Sequence, residues 1–264
     1  MQKRKILILA VLCAVALAGC KKRDPIDLST LHTTEAAEPE TAAQAEETEA
    51  AETESAGAPA SSGLSVEASI TSETSGSASI EYPVLSNMKD SEKQDQVNAI
   101  LKANAMAADD AWPGNLTIRA TVESVNLRRI TVTYRGSVTE NGKTERVFFA
   151  NTVDLETAEN LRLTDLTDAY TLAGYISSGD YKLSELTGDE AVVRSELGAS
   201  GRTTEYYYGL LQNADFSGGY TEDSDSVSWP EIFSFEKGGV VYVSLPVSSE
   251  AGDYVLIHYS PDNK

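Results

Sequence analysis

The sequence predicts an α+β fold, antiparallel sheets with a few packed helices, carried behind a disordered acidic N-terminal tether. Three observations lead there. All of the 2 Trp, 12 Tyr and 5 Phe residues lie beyond residue 81, so the preceding stretch lacks the material for an ordinary core. Beyond that point, runs of period 2 and runs of helical period are segregated rather than alternating, which disfavours a doubly wound parallel sheet. No fixed-period repeat interrupts them.

The N-terminus supplies an address. Residues 2 to 5 read Gln-Lys-Arg-Lys, and the apolar run from Ile6 to Leu17 is too short for a normal membrane span. It ends in Leu17-Ala18-Gly19-Cys20, which marks residues 1–19 as a secretory signal peptide. That ending resembles the lipobox of bacterial lipoproteins, a resemblance that implies cleavage between Gly19 and Cys20 and a diacylglyceryl group on the Cys20 sulfur. Small Ala18 and Gly19 let a peptidase approach the backbone, and a thiol can carry a thioether lipid. With each buried CH₂ worth about 0.8 kcal/mol, two acyl chains hold far more durably than one, and Lys21, Lys22 and Arg23 add attraction to anionic headgroups. The expected location is the extracytoplasmic face of the cell membrane. An uncleaved anchor helix or a plain secretion signal are the alternatives. Only 2 Cys are present, and Cys13 leaves with the peptide, so neither a disulfide framework nor a thiolate metal cage is expected.

Residues 20–79 read as the lipidated Cys and a disordered Ala/Glu/Thr/Ser-rich linker. From Asp24 to Ser79 there are twelve acidic residues and no Lys, Arg or aromatic, a composition that buries too little apolar area to offset its ordering entropy. Residues 35–54 have helical propensity, but like charges at i,i+4 and the absence of an apolar stripe oppose a stable helix. The segment holds a domain off a surface, or itself captures a cationic partner.

Residues 80–264 form the folded domain, with a sub-boundary expected near residue 165. They carry 29 acidic and 15 basic side chains, so the domain is acidic in its own right, and nucleic acid is not an expected partner of a chain whose formal charge is −20. Residues 80–85 alternate as a strand. Ser91-Glu92-Lys93-Gln94 reads as a capping box opening a helix with Val97, Ile100, Leu101, Asn104 and Ala108 on one stripe, stopped by Trp112-Pro113-Gly114. Leu116, Ile118, Ala120 and Val122 alternate as a second strand. Ile130, Val132 and Tyr134 then pair with Val147, Phe149 and Val153 across an Asn141-Gly142 turn. Short helices follow over 165–176, 189–197 and 204–212. Strands over 232–235, 240–245 and 254–259 close the chain as an antiparallel meander, joined by Lys237-Gly238-Gly239 and by Glu250-Ala251-Gly252-Asp253.

This order of elements resembles a known family. Glu81-Tyr82-Pro83-Val84-Leu85 before Gln96-Val97-Asn98-Ala99-Ile100-Leu101 is similar to the domain of unknown function found in the RsiV anti-sigma factor and the PdaC peptidoglycan deacetylase. The run Val153-Asp154-Leu155-Glu156-Thr157, the run from Leu161 to Leu166 and the final Gly238-Gly239-Val240-Val241-Tyr242-Val243 resemble later segments of it. The resemblance implies an extracytoplasmic sensing or binding domain, with lysozyme the partner of RsiV-type domains. The aromatic, Glu- and Pro-containing stretch usual in the family's last section is here Leu245-Pro246-Val247-Ser248-Ser249, and no family binding residues map onto the chain. The five residues before the apolar run are too few to hold a sigma factor. His32 and His258 alone do not supply the Asp/His/His set of a deacetylase.

No residue pattern marks a catalytic site. His258 lies in an alternating strand and is expected to face solvent. Ser200 in Gly198-Ala199-Ser200-Gly201 reads as a turn, one residue short of a nucleophile elbow. Glu222, Asp223 and Asp225 lack the Gly and closing Glu of a calcium loop. Tyr206, Tyr207 and Tyr208, with Trp112 and Trp229, are the candidate aromatic binding surface, because amphipathic rings give large contact area at low entropic cost. Successive helical positions lie about 100° apart, so the three tyrosines cannot all face inward. The expectation is a non-catalytic, lipid-anchored cell-surface module without cofactor or metal, binding a cationic protein of lysozyme type or a cell-wall glycan. The competing readings are a wall-acting hydrolase or deacetylase with an unmarked carboxylate pair, and an accessory lipoprotein of a membrane complex.

Overall fold

A computed structural model describes residues 65–186, 188–220 and 227–260, all within one compact unit. Gly19, Cys20, His32 and the acidic loop of Glu222, Asp223 and Asp225 lie outside the described residues. Among the described residues ten strands and five helices follow one another in mixed order, and the strands assemble into two sheets.

The larger sheet has six strands in sequence order. β1 (Glu67–Ser75) and β2 (Ala78–Ser86) form a hairpin paired from Glu67↔Ser86 to Ser75↔Ala78. β1 therefore occupies part of the segment expected to be linker, and the folded domain begins some thirteen residues before residue 80. The reason is that β1 is held by its hydrogen-bond ladder and not by burial. Its Glu73 is anchored by Lys102 Nζ at 2.6 Å and by the Tyr82 hydroxyl at 3.3 Å, while Ser75 Oγ donates to Asp109 at 2.7 Å.

Helix α1 (Ser91–Ala111) buries Val97, Ile100, Leu101, Asn104, Ala105 and Ala108, the predicted stripe with one addition. Its cap is Asp90, one residue before the expected Ser91: the Asp90 carboxylate accepts from Lys93 N at 3.0 Å. Gln94, the expected closing member of the box, instead accepts from Met88 N at 3.1 Å. The chain leaves α1 at Trp112, whose N–H donates to the Ala108 carbonyl, and enters β3 (Asn115–Val125). β3 meets β2 in parallel over only Ser79↔Thr117 and Ile80↔Ile118. Beyond, Glu81 fills the gap by accepting from Ala120 N at 3.2 Å.

β4 (Arg129–Glu140) and β5 (Lys143–Asp154) form the predicted hairpin, with Ile130↔Val153 and Tyr134↔Phe149 in register. Asn141 and Gly142 both have positive φ, 51° and 79°, as a hairpin turn of this hand requires. A short β6 (Glu159–Leu161) borders β5.

The smaller sheet has the order β7-β10-β9-β8. β8 (Ser234–Lys237), β9 (Val240–Pro246) and β10 (Tyr254–Tyr259) are the predicted meander, its first strand starting two residues later than expected. β7 (Lys182–Glu185) pairs with β10 alone. The expected helix over 165–176 is two helices, α2 (Leu163–Leu166) and α3 (Ala169–Ser178). Thr167 between them is extended, and Asp168 starts α3 by accepting from Thr171 N at 2.7 Å. α4 (Glu190–Leu197), capped by Asp189, and α5 (Thr204–Gln212) fall where expected.

The layers run α1, larger sheet, smaller sheet, remaining helices. Ile130, Val132 and Tyr134 share a face with Phe149, Asn151 and Val153, and Asn104 of α1 reaches Asn151 there. On the opposite face Phe148 meets Phe235 and Tyr254, at 6.2 and 5.2 Å between ring centres. The smaller sheet is covered on both sides: Val241, Val243, Leu245, Val255 and Ile257 pack with Leu172, Ile176, Val193, Leu197, Tyr207 and Leu211 in a second core that begins at Leu163. Across the sheet-to-sheet interface, Arg129–Glu236 (2.5 Å), Lys237–Glu123 (2.8 Å) and Arg135–Glu185 (3.1 Å) form ion pairs. Burial pushes the Glu123 carboxyl up, but hydrogen bonds from Lys237 and Thr133 and the charges of Lys237 and Arg135 together hold it below the usual carboxylate range.

Candidate functional site

The predicted aromatic surface is divided between the two cores. Tyr207 is fully buried and its hydroxyl donates to the Leu197 carbonyl at 2.6 Å, so it is a core residue. Tyr206 is 42% exposed. Tyr208 is half-buried, edge-on to exposed Tyr170 of α3 at 5.4 Å. The consecutive tyrosines thus point to different sides of α5, as the helical angle demands.

Trp112 and Trp229 come together elsewhere. Their rings meet edge to face at 4.7 Å. Trp112 is placed by the end of α1. Trp229 is wedged among Phe149, Phe216 and Phe233, at 5.2, 5.4 and 5.3 Å, and Phe149 stacks in turn on Tyr134 at 4.2 Å. A continuous column of rings therefore runs from the middle of the larger sheet to the surface, and each edge-to-face pair adds about 0.5–1.5 kcal/mol beyond its buried area. The outer end of the column is one wall of a cleft of about 410 Å³.

The opposite wall is built by β5, the loop before β10 and the end of β9. Phe148 and Tyr254 pack at 5.2 Å. The Arg146 guanidinium lies 4.8 Å from the centre of the Tyr254 ring and donates to its hydroxyl at 3.0 Å. Asp253, at φ 70°, accepts from Arg146 N at 2.8 Å. Burial is the main reason the Tyr254 phenol is raised above its ordinary value, with the charge of Glu185 adding to it.

Glu145 and Glu231 complete the rim. Both are exposed, and among the described residues neither has an ion-pair partner in range. The cleft therefore offers aromatic faces beneath carboxylates that are not neutralised internally, and both features attract a cation. Arg146 over Tyr254 shows the same chemistry within the chain. Glu145, Arg146, Phe148, Glu231, Asp253 and Tyr254 carry no sequence signal for this role, because the cleft joins residues from 112, 145–148, 229–233 and 244–254, segments that only the fold brings together.

The other sequence candidates have structural places. His258 of β10 is half-buried, paired with Tyr242 in the ladder and 6.0 Å from its ring. Ser200 lies in a turn. Among the described residues, no group of three or more His, Cys, Asp or Glu is gathered closely enough to hold a metal ion.

The fold and cleft define a two-sheet α+β domain with an aromatic, acid-rimmed cleft. No family model matches the chain, and no curated protein matches it. Among solved structures similar to it is the crystal structure of a DUF3298 family protein from Pseudomonas aeruginosa PAO1, 11% identical, with a TM-score of 0.35, covering 74% of this chain and 89% of that one.

Proposed function

We propose that this protein is a non-catalytic, lipid-anchored module on the extracytoplasmic face of the membrane, and that its cleft takes basic side chains of a cationic protein, lysozymes being the partner class. The observation that carries the reading is the pairing of the Trp112–Trp229 wall with the unneutralised Glu145 and Glu231. The acidic balance of the chain, 41 Asp and Glu against 21 Lys and Arg, supports it by steering a cation toward the surface. The lipobox-like Leu17-Ala18-Gly19-Cys20 supports the anchor.

The test is a calorimetric titration of the protein with a lysozyme at low and at physiological salt, with a protein of uncharged surface as control. Saturable binding that weakens with salt, survives 0.15 M, and falls about tenfold or more in Trp112→Ala and in the double variant Glu145→Gln/Glu231→Gln is expected. Binding indifferent to all three substitutions removes the cleft from the function. No binding at either salt removes the cationic-protein reading, and a lysozyme activity assay separates sensing from inhibition.

A further inference from the structure

A second cavity, of about 450 Å³, lies between α1 and the segment after α5. Among the described residues its polar lining is uncharged. At its base is a triangle of amides: Asn104 Nδ2 donates to Asn151 Oδ1 at 3.1 Å and to Asn160 Oδ1 at 3.0 Å, and Asn151 Nδ2 donates to Asn160 Oδ1 at 2.8 Å.

The triangle is internally unequal. Asn160 spends its oxygen on two donors, leaving its own Nδ2–H groups without an acceptor among the described residues. Asn104 is 3% exposed and spends only its Nδ2, so its Oδ1 has no donor among them. Asn104 and Asn160 both line the cavity. An open acceptor and an open donor are thus held side by side at the cavity. Ser217 and Ser228 add hydroxyls to the lining, Ala103 and Val227 add apolar wall, and Tyr220, 41% exposed, stands at the mouth. A charged ligand would lose hydration here with no countercharge among the described lining residues to replace it. A neutral secondary amide carries one N–H and one C=O, the complement of the open pair.

We propose that this cavity binds a neutral acetamido sugar, a unit of a glycan. Its N–H donates to Asn104 Oδ1, its carbonyl accepts from Asn160 Nδ2, its methyl meets Ala103 and Val227, and its ring lies against Tyr220. Tyr220 and the serine hydroxyls favour a sugar over a bare peptide amide, because they serve a ring face and hydroxyl groups that a peptide amide lacks. The site is separate from the aromatic cleft and takes a different ligand class.

The full chain is titrated with N,N′-diacetylchitobiose, with the same disaccharide after N-deacetylation, with cellobiose and with N-acetylalanine methylamide. Saturable binding of the acetylated sugar alone is expected. Asn160→Asp keeps an oxygen for both neighbouring amides and removes the free donors, while Ala103→Trp fills the cavity from an exposed helix position. Each weakens binding at least tenfold with the unfolding midpoint of Ala103→Trp unchanged, and Glu145→Gln leaves sugar binding as it was. No saturable heat with the acetylated sugar, equal binding of cellobiose or of the peptide amide, or indifference to both variants overturns the proposal. None of these outcomes bears on the lysozyme titration.

Discussion

Tyr134 is the one described residue with a buried side-chain polar atom lacking any hydrogen-bond partner, and burial raises its phenol far above the ordinary value. Its ring stacks on Phe149 at an interplanar angle of 5°, which a phenylalanine would preserve. Tyr134→Phe is therefore expected to leave the melting temperature unchanged or raise it by about 2–4 °C, the shift that about 1 kcal/mol gives a domain of this size; a drop by differential scanning calorimetry would show an unseen partner for the hydroxyl. Asp215 is the opposite case. It is buried with φ 66°, and its carboxylate accepts from Leu163 N at 2.7 Å, Ser234 N at 2.5 Å and Ser234 Oγ at 2.6 Å, tying the start of α2 to the start of β8. Asp215→Asn would set an amide N–H against one of these donors, at a cost of about 1–3 kcal/mol. Burial is the largest influence on this carboxyl and pushes it from 3.8 up to about 7, against the Ser234 and Leu163 hydrogen bonds and the charge of Arg162. Between those two values the folded state holds the proton more tightly than the unfolded chain, so this group's contribution falls as pH rises and levels off above about 7. The stability deficit of Asp215→Asn should then be largest at and below about pH 4 and shrink toward neutrality in urea titrations between about pH 4 and 7; a deficit growing with pH would mean the three donors outweigh burial.

At the level of elements, the sequence is legible where one physical signal acts alone. Period-2 runs bounded by Asn141-Gly142 gave β4 and β5, and a helical stripe bounded by Trp112-Pro113 gave α1. It misleads where a competing local signal wins: Asp90 takes the cap of α1 although Ser91 and Gln94 satisfy the capping pattern, and Asp168 divides one apparent helix into α2 and α3. It is silent on β1 and β7, whose stability comes from pairing with distant strands and not from their own composition. The aromatic residues of the cleft were half legible for the same reason: Trp112 and Trp229 stand out by type, but their carboxylate companions are ordinary surface residues until the chain folds. β1 supplies a direct check. A chain starting at residue 78 keeps all of β2 but loses the ladder, the Glu73 contacts and the Ser75–Asp109 bond. It is expected to be less stable than one starting at residue 65 by about 2 kcal/mol or more and to aggregate through the uncovered edge of β2, as unfolding curves and light scattering would report. Equal stability would return residues 65–77 to the linker.

For the whole molecule, the proposed anchor makes the clearest prediction. Cys20→Ala is expected to shift the protein out of the membrane fraction or leave it unprocessed, read by fractionation and by the mass of the mature N-terminus; a normally processed variant that stays with the membrane would end the lipid-anchor reading. The ion pairs between the sheets are partly exposed, Lys237 at 59% and Arg135 at 36% of the side chain, so they orient the layers more than they stabilise them, at about 0–1 kcal/mol each. The strand order of the smaller sheet bears on how the chain comes to be folded during its synthesis. β7 borders only β10, and α4, α5, β8 and β9 are all made between the two. Until Tyr254–Tyr259 has left the ribosome, β7 has no neighbour to pair with, and the apolar faces of β8 and β9 stand without their central companion. The hairpins and helix of the larger sheet close through contacts nearby in the chain and can mature early, while completion of the second core waits for a strand made some seventy residues after β7. Synthesis halted before residue 254 would thus leave a formed first layer beside an open, adhesive half, the state in which a nascent chain most needs a chaperone.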